Sequence, residues 1–139
     1  MIDQIAEQLS RAAASGDDFW RALYALTDTW TAAGVGLDAV EPILRFMEQH
    51  PDLDYGTPGA VVHFMESFYG AGYEDRVLAS IDRRPTKHTV WMLNRLINGA
   101  KQRAERQRLV AKLESVLAHP RADADTVAEA TQFLEFQGK

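Results

Sequence analysis

The sequence predicts an all-α fold of about eight helices, paired as four antiparallel hairpins. Three observations carry this. Apolar residues recur at spacings of three and four along most of the chain. No stretch of useful length alternates as a strand would. The breakers Gly16, Pro51, Pro85 and Pro120 are separated by 35, 34 and 35 residues, and each is followed within seven residues by a residue able to cap a helix. The 139 residues suit one domain with a single core.

Ile2, Ile5, Ala6, Leu9 and Ala13 form the apolar stripe of a first helix, which Ser15-Gly16 stops. Asp17 and Asp18 are placed to cap the second, where acids suit the positive end of the dipole. Phe19, Trp20, Leu23, Tyr24, Leu26 and Trp30 give that helix an aromatic core stripe, and Gly34 and Gly36 end it. A third helix is expected from Asp38 to His50, with Pro42 tolerated in its first turn and Pro51 closing it. Its buried set is Ile43, Leu44, Phe46 and Met47.

Residues 51–57, PDLDYGT, form the longest irregular connection. Thr57-Pro58 is then expected to open a fourth helix, a cap with proline at the first helical position. Val61, Val62, Phe64, Met65 and Phe68 face inward, and Gly70 and Gly72 end it. A short fifth helix runs from Tyr73 to Ser80 or Ile81.

The sixth, PTKHTVWMLNRLIN, is apolar around more than half its circumference and is expected to sit centrally, capped by Thr86. Its His88, Trp91, Asn94, Arg95 and Asn98 stack into one polar-aromatic stripe facing outward. A seventh helix from Lys101 to His119 turns Leu109, Val110, Leu113, Val116 and Leu117 inward. The eighth spans Asp125 to Phe136, with Asp123 or Asp125 as its cap.

Two helices per unit at a fixed period resembles HEAT-type repeats in architecture, as a HEAT-like α-solenoid; the alternative is an irregular helical bundle. In such arrays the second helices share a surface. That register makes His63, Glu66 and Ser67 of the fourth helix, with His88, Asn94, Arg95 and Asn98 of the sixth, a candidate functional face bordered by Asp52, Asp54 and Tyr55.

Composition narrows the function. With 46% hydrophobic and 25% charged residues the chain is an ordinary globular one, not a disordered one. No run of eighteen apolar residues offers a membrane span, and the first residues lack the basic start and apolar core of a secretory signal. The absence of cysteine removes disulfides, thiolate metal sites and cysteine nucleophiles, and fits the cytoplasm.

No catalytic constellation assembles. His63 and Glu66 at i, i+3 lack the further carboxylates and the second pair a di-iron bundle needs. His50 and His119, each before a proline at a helix end, suit the dipole there. No phosphate-binding glycine loop, nucleophile elbow or H-E-x-x-H is present. The sequence therefore points away from an enzyme and implies no cofactor or metal.

Charge is uneven. Residues 1–82 carry fourteen acids against four arginines, a balance of −10, and residues 83–139 carry eleven cations against six acids, a balance of +5. Lys101, Arg103, Arg106, Arg108 and Lys112, with Arg83, Arg84 and Lys87 upstream, make a nucleic-acid-binding module using the basic C-terminal half the alternative function. Glu105 and Glu114 interrupt that face, and the acidic half repels a polyanion.

The span from Asp54 to Asn98 resembles small helical immunity proteins encoded beside bacterial contact-dependent and other polymorphic toxins. The matching pieces are TPGAVVHFME, the aromatic SFY and GY around the hinge, and PTKHTVWMLNR, about a third of the chain. The resemblance implies a cytoplasmic protein that binds one cognate toxin domain and blocks it. Where the toxin is a nuclease with a basic cleft, carboxylates of an acidic inhibitor stand in for phosphates. Asp52, Asp54, Glu66, Glu74 and Asp75 then supply charge, and Tyr55, Tyr69, Trp91 and Tyr73 supply aromatic anchors if exposed.

Overall fold

The computed structural model describes residues 2–16 and 18–138. It is all-helical: eight α-helices and three short 3-10 turns, with no strand among the described residues. The helices are α1 (Ile5–Ala14), α2 (Phe19–Ala32), α3 (Val40–Gln49), α4 (Ala60–Glu66), α5 (Tyr73–Arg83), α6 (Lys87–Gly99), α7 (Arg103–Ser115) and α8 (Ala124–Gln137). All four predicted breakers fall in connections between helices. The chain divides into two compact units, Met1–Arg76 and Val77–Lys139, with the break inside α5.

In the first unit α1 packs against α2 and α3, and α2 packs against α4, an arrangement consistent with a helical bundle. Ile5, Leu9, Leu23, Trp30, Ile43, Leu44, Met47, Val61, Val62 and Met65 form its buried centre. Burying aromatic rings adds edge contacts to the transfer of apolar area. Trp30 meets Phe64 at 5.4 Å and Phe19 meets Tyr55 at 5.2 Å, both edge to face. Trp30 also buries a polar atom, satisfied by donating from Nε1 to Gln8 Oε1 at 2.8 Å.

Helix ends in this unit depart from expectation at two places. Asp17 lies outside the described residues. Asp18 is the N-cap of α2, yet its side chain makes no cap bond; its carboxylate lies 3.8 Å from Arg21 instead. Thr57-Pro58 does not open α4. That peptide bond is cis, and the helix begins two residues later, after Gly59 at φ +92°. Gly56 and Gly59 are both left-handed, and a Cβ on Gly59 would stand 1.9 Å from the Tyr55 carbonyl oxygen. The loop needs glycine there because the chain folds back on itself. α4 also ends at Glu66, so Phe68 lies in the turn rather than in the helix.

In the second unit α6, α7 and α8 pack pairwise. α6 is central, as its sequence predicted: Val90, Met92, Leu93, Leu96 and Ile97 are all buried. Thr86 caps it in a reciprocal pair with Thr89, the Thr86 hydroxyl accepting from Thr89 N at 3.2 Å and Thr89 Oγ1 accepting from Thr86 N at 3.0 Å. Asp123 caps α8, accepting from Thr126 N at 2.8 Å. α7 turns Leu109 and Leu113 inward, as does Val116 just beyond it, but Leu117, predicted to be buried, is 44% exposed. The helix tightens to a 3-10 turn at Val116–Ala118, which rotates Leu117 off the inward face.

Candidate functional site

The charge asymmetry of the sequence follows the division into units. Met1–Arg76 holds thirteen acids against four arginines, a balance of −9, and Val77–Lys139 holds eleven cations against seven acids, a balance of +4. Each unit carries an open cleft, and the predicted site residues divide between them.

On the acidic unit, a groove runs between α2 and α4. Tyr24, Thr27 and Thr31 of α2, then Val35, form one wall; Ala60, His63, Phe64, Ser67 and Phe68 form the other, around a volume of about 410 Å³. A second hollow of about 370 Å³ continues it, lined by Trp20, Tyr24, Asp54 and the loop Gly56–Gly59, and sharing His63. The wall on α2 exists because 3.6 residues per turn puts Trp20, Tyr24, Thr27 and Thr31 in one row beside the buried row of Phe19, Leu23 and Trp30. The far end of α2 is shaped by Gly34, whose φ of +72° lets Val35 N donate back to Trp30 O at 3.0 Å.

Asp54 and His63 line this groove. Glu66 borders it, its Oε1 3.6 Å from His63 Nδ1. Asp54 Oδ1 accepts from Gly56 N at 3.0 Å, which fixes the carboxylate at the groove's end. Asp52 and Asp75 are exposed, and so is Tyr69, at 51%. Glu74 has a structural task, accepting from Gly70 N at 3.0 Å to close the turn after α4.

Tyr55 is a correction. Offered as a partner-binding anchor, it is fully buried; its hydroxyl donates to His50 O at 2.7 Å, and burial pushes its ionisation far above the ordinary phenol range. Tyr73 is fully buried as well.

Sequence reasoning assigned Trp20 and Tyr24 to the core. Tyr24 is half exposed and Trp20 half-buried, with the Arg21 guanidinium 5.3 Å from the Trp20 ring centre. The available signal was that α2 carries two adjacent aromatic rows, of which a helix packed on one side can bury only one.

On the basic unit, the α6 stripe is not an outward face throughout. Asn94 is buried, and its Oδ1 accepts from Gln137 Nε2 at 2.9 Å; Asn98 Oδ1 accepts from the same group at 2.6 Å. Arg106 donates to the Gln137 backbone and side-chain oxygens at 2.8 and 3.0 Å. Gln137 thus ties α6, α7 and α8 together, and the expectation of Asn94 as an open contact is corrected. His88, Trp91 and Arg95 are half-buried. A hollow beside Asn94 and Asn98 is bounded by Glu129, Gln132, Phe133 and Phe136 of α8.

The basic row of α7 is largely engaged within its own unit. Arg108 forks onto Glu105 at 2.7 and 2.9 Å, holding that carboxyl below its ordinary range, and Lys112 reaches Asp82 at 2.6 Å. Among the described residues no three His, Asp or Glu side chains gather as a metal site would require, and no helix is long and apolar enough to cross a membrane. The chain matches no protein-family model, no curated protein and no solved structure.

Proposed function

We propose that this protein works by binding another protein, as an immunity protein that neutralises a cognate bacterial toxin domain in the cytoplasm, without catalysing a reaction itself. The observation that carries the reading is the acidic unit's open groove, with a half-exposed tyrosine on its wall and Asp54 and Glu66 at its edge. Exposed aromatics beside charged groups are what interfaces use as anchors and as steering groups. The resemblance of residues 54–98 to helical immunity proteins supports the choice of partner, since TPGAVVHFME supplies one wall of that groove. A nucleic-acid-binding role for the basic unit is less well supported, because Arg106, Arg108 and Lys112 already hold internal partners.

The test is titration calorimetry against the C-terminal domain of the protein encoded immediately upstream. One-to-one binding with loss of that domain's toxicity is expected. Reversing Asp52 and Asp54 to lysine, both exposed, should weaken binding about tenfold or more while leaving the helical signal intact. Absence of binding to the upstream domain defeats the immunity reading.

A further inference from the structure

We infer that the groove between α2 and α4 receives a cationic amphipathic helix of the partner, so that this chain acts as the receptor for a protruding segment. The inference names the partner chemistry of the site just proposed and rests on that reading for the partner's being a toxin.

Three features select the occupant. The first hollow is largely apolar, from Tyr24, Val35, Phe64 and Phe68, and the second sets the Trp20 ring among polar groups, Asp54, Thr57 and His63. Neither hollow is lined by a lysine or arginine, and Arg21, which lies over the Trp20 ring, has the Asp18 carboxylate 3.8 Å away. Carboxylates flank the groove: Asp54 at one end, Glu66 beside His63, and Asp28, exposed and one helical turn from Tyr24 on α2. An apolar trough with an acidic rim complements a helix that has one apolar face and lysine or arginine along its edges.

An extended peptide fits less well. It would bring unpaired backbone donors and acceptors to walls made of helices whose own backbone groups are already bonded, and no strand edge is present to pair with it among the described residues. A helix satisfies its backbone internally and brings only side chains. From Trp20 to Thr31 the α2 wall runs roughly 16 Å, enough for about three turns.

The probe is a side-chain-bridged helical peptide of about twelve residues, with leucine at i, i+3, i+4 and i+7 and lysine elsewhere; bridging removes the instability of short isolated helices. It is titrated into the isotope-labelled full chain and followed by amide chemical shifts. Expected are shifts concentrated in residues 20–35 and 54–68. Thr31→Arg, an exposed change that fills and charges the groove, should weaken binding by about tenfold, as should Tyr24→Ala, while Glu7→Lys, the same sense of charge change on α1, should not. A peptide that gives no shifts, shifts spread over other acidic surfaces, or equal affinity for wild type and both groove variants overturns the inference. The two proposals fail separately. If the upstream domain binds wild type and Thr31→Arg equally, the groove is wrong and the immunity reading stands. If the peptide docks in the groove and the upstream domain does not bind, the groove stands and the toxin reading falls.

Discussion

The acidic unit and the basic unit are both assembled from short helices, yet they bury different chemistry. Ten of the thirteen aromatic residues lie within Met1–Arg76, and eight of them make ring-to-ring contacts, those among Phe19, Phe46, Tyr55, Trp30 and Phe64 at the core. In Val77–Lys139 no aromatic residue is buried; the centre is aliphatic, from Val77, Ile81, Val90, Leu93, Ile97, Leu109 and Leu113. The acidic unit carries its open trough beside that aromatic core. The basic unit instead ties its turns together with polar bonds: His119 Nε2 lies 2.8 Å from Asp82 O, and Arg121 donates to Arg83 O at 3.3 Å. Both units carry a hollow, but the acidic unit's is walled by aromatic side chains and the basic unit's, of about 450 Å³, lies beside the polar ties of Asn94 and Asn98.

If that contrast is correct, the largest effect of a single truncation should fall on the aromatic centre. Trp30→Ala removes a fully buried ring and leaves Gln8 without its indole donor, and should cost about 3–5 kcal/mol in denaturant unfolding. Leu113→Ala, also fully buried, should fall within about 2–5 kcal/mol and below the tryptophan change. Equal losses would mean that the ring contributes less than its larger buried area predicts.

Two glycines of the acidic unit test the backbone beside its groove. Gly59→Ala must place a methyl group against the Tyr55 carbonyl oxygen in a left-handed conformation, and should cost more than about 2 kcal/mol. Gly34→Ala has the same handedness but open space around the new Cβ, so about 1 kcal/mol is expected. Comparing the two midpoints separates crowding from backbone preference. A Gly59→Ala chain no weaker than Gly34→Ala would show that the 56–59 loop is soft.

These results also explain what the sequence could and could not reveal. Helix number, the breakers and the central place of α6 were legible because they depend on local signals: a 3.6-residue apolar period, proline, glycine, and Thr86 and Asp123 three residues before their partners. The start of α4 was not. Thr57-Pro58 has the composition of a helix start, and only the close approach of residue 59 to Tyr55 O shows why the helix waits for Gly59. The candidate site was half legible. His63 and Glu66 were identified from the α4 face and Asp54 from the loop bordering it, whereas Trp20 and Tyr24 were assigned to the core because sequence alone does not say which of two aromatic rows meets α4. Asn94 was misjudged because its partner, Gln137, lies 43 residues away.

Titration offers a finer comparison, with opposite signs in the two units. Asp123 is held below the ordinary carboxyl range, chiefly by its bonds to Thr126; partial burial opposes this, and the charges of Arg84 and Lys87 add a lesser favourable contribution. A lowered carboxyl value in the folded state means that its stabilisation is present above the unfolded value near 3.9 and is lost as pH falls through the folded value. The basic unit should therefore weaken in acid, below about pH 4, and Asp123→Asn should reduce that dependence while keeping an oxygen for the cap. Tyr55 is raised by burial, so its neutral form stabilises the acidic unit below an unfolded value near 10, and that contribution drains away as pH rises beyond it. Tyr55→Phe should lose about 0.5–1.5 kcal/mol at neutral pH with the bond to His50 O, and show a flatter alkaline limb. An unchanged alkaline limb would move the titration to another group.

The smallest expected effect concerns the ion pair of Lys112 with Asp82. Lys112 Nζ and Asp82 Oδ1 are 2.6 Å apart, yet most of the Asp82 side chain is solvated. Water and salt screen such a pair, and holding a lysine side chain in one rotamer costs entropy, so the expected loss in Lys112→Met is about 0–1 kcal/mol. The loss should shrink further in high salt. The neighbouring contact of His119 with the Asp82 carbonyl provides the counterpart: it fixes backbone to side chain, and its contribution should be less sensitive to salt. A double-mutant cycle of Asp82→Asn with Lys112→Met reads the pair alone. A coupling above about 1 kcal/mol that persists in high salt would show that the pair is effectively desolvated, and that charge as well as backbone contact closes the basic unit.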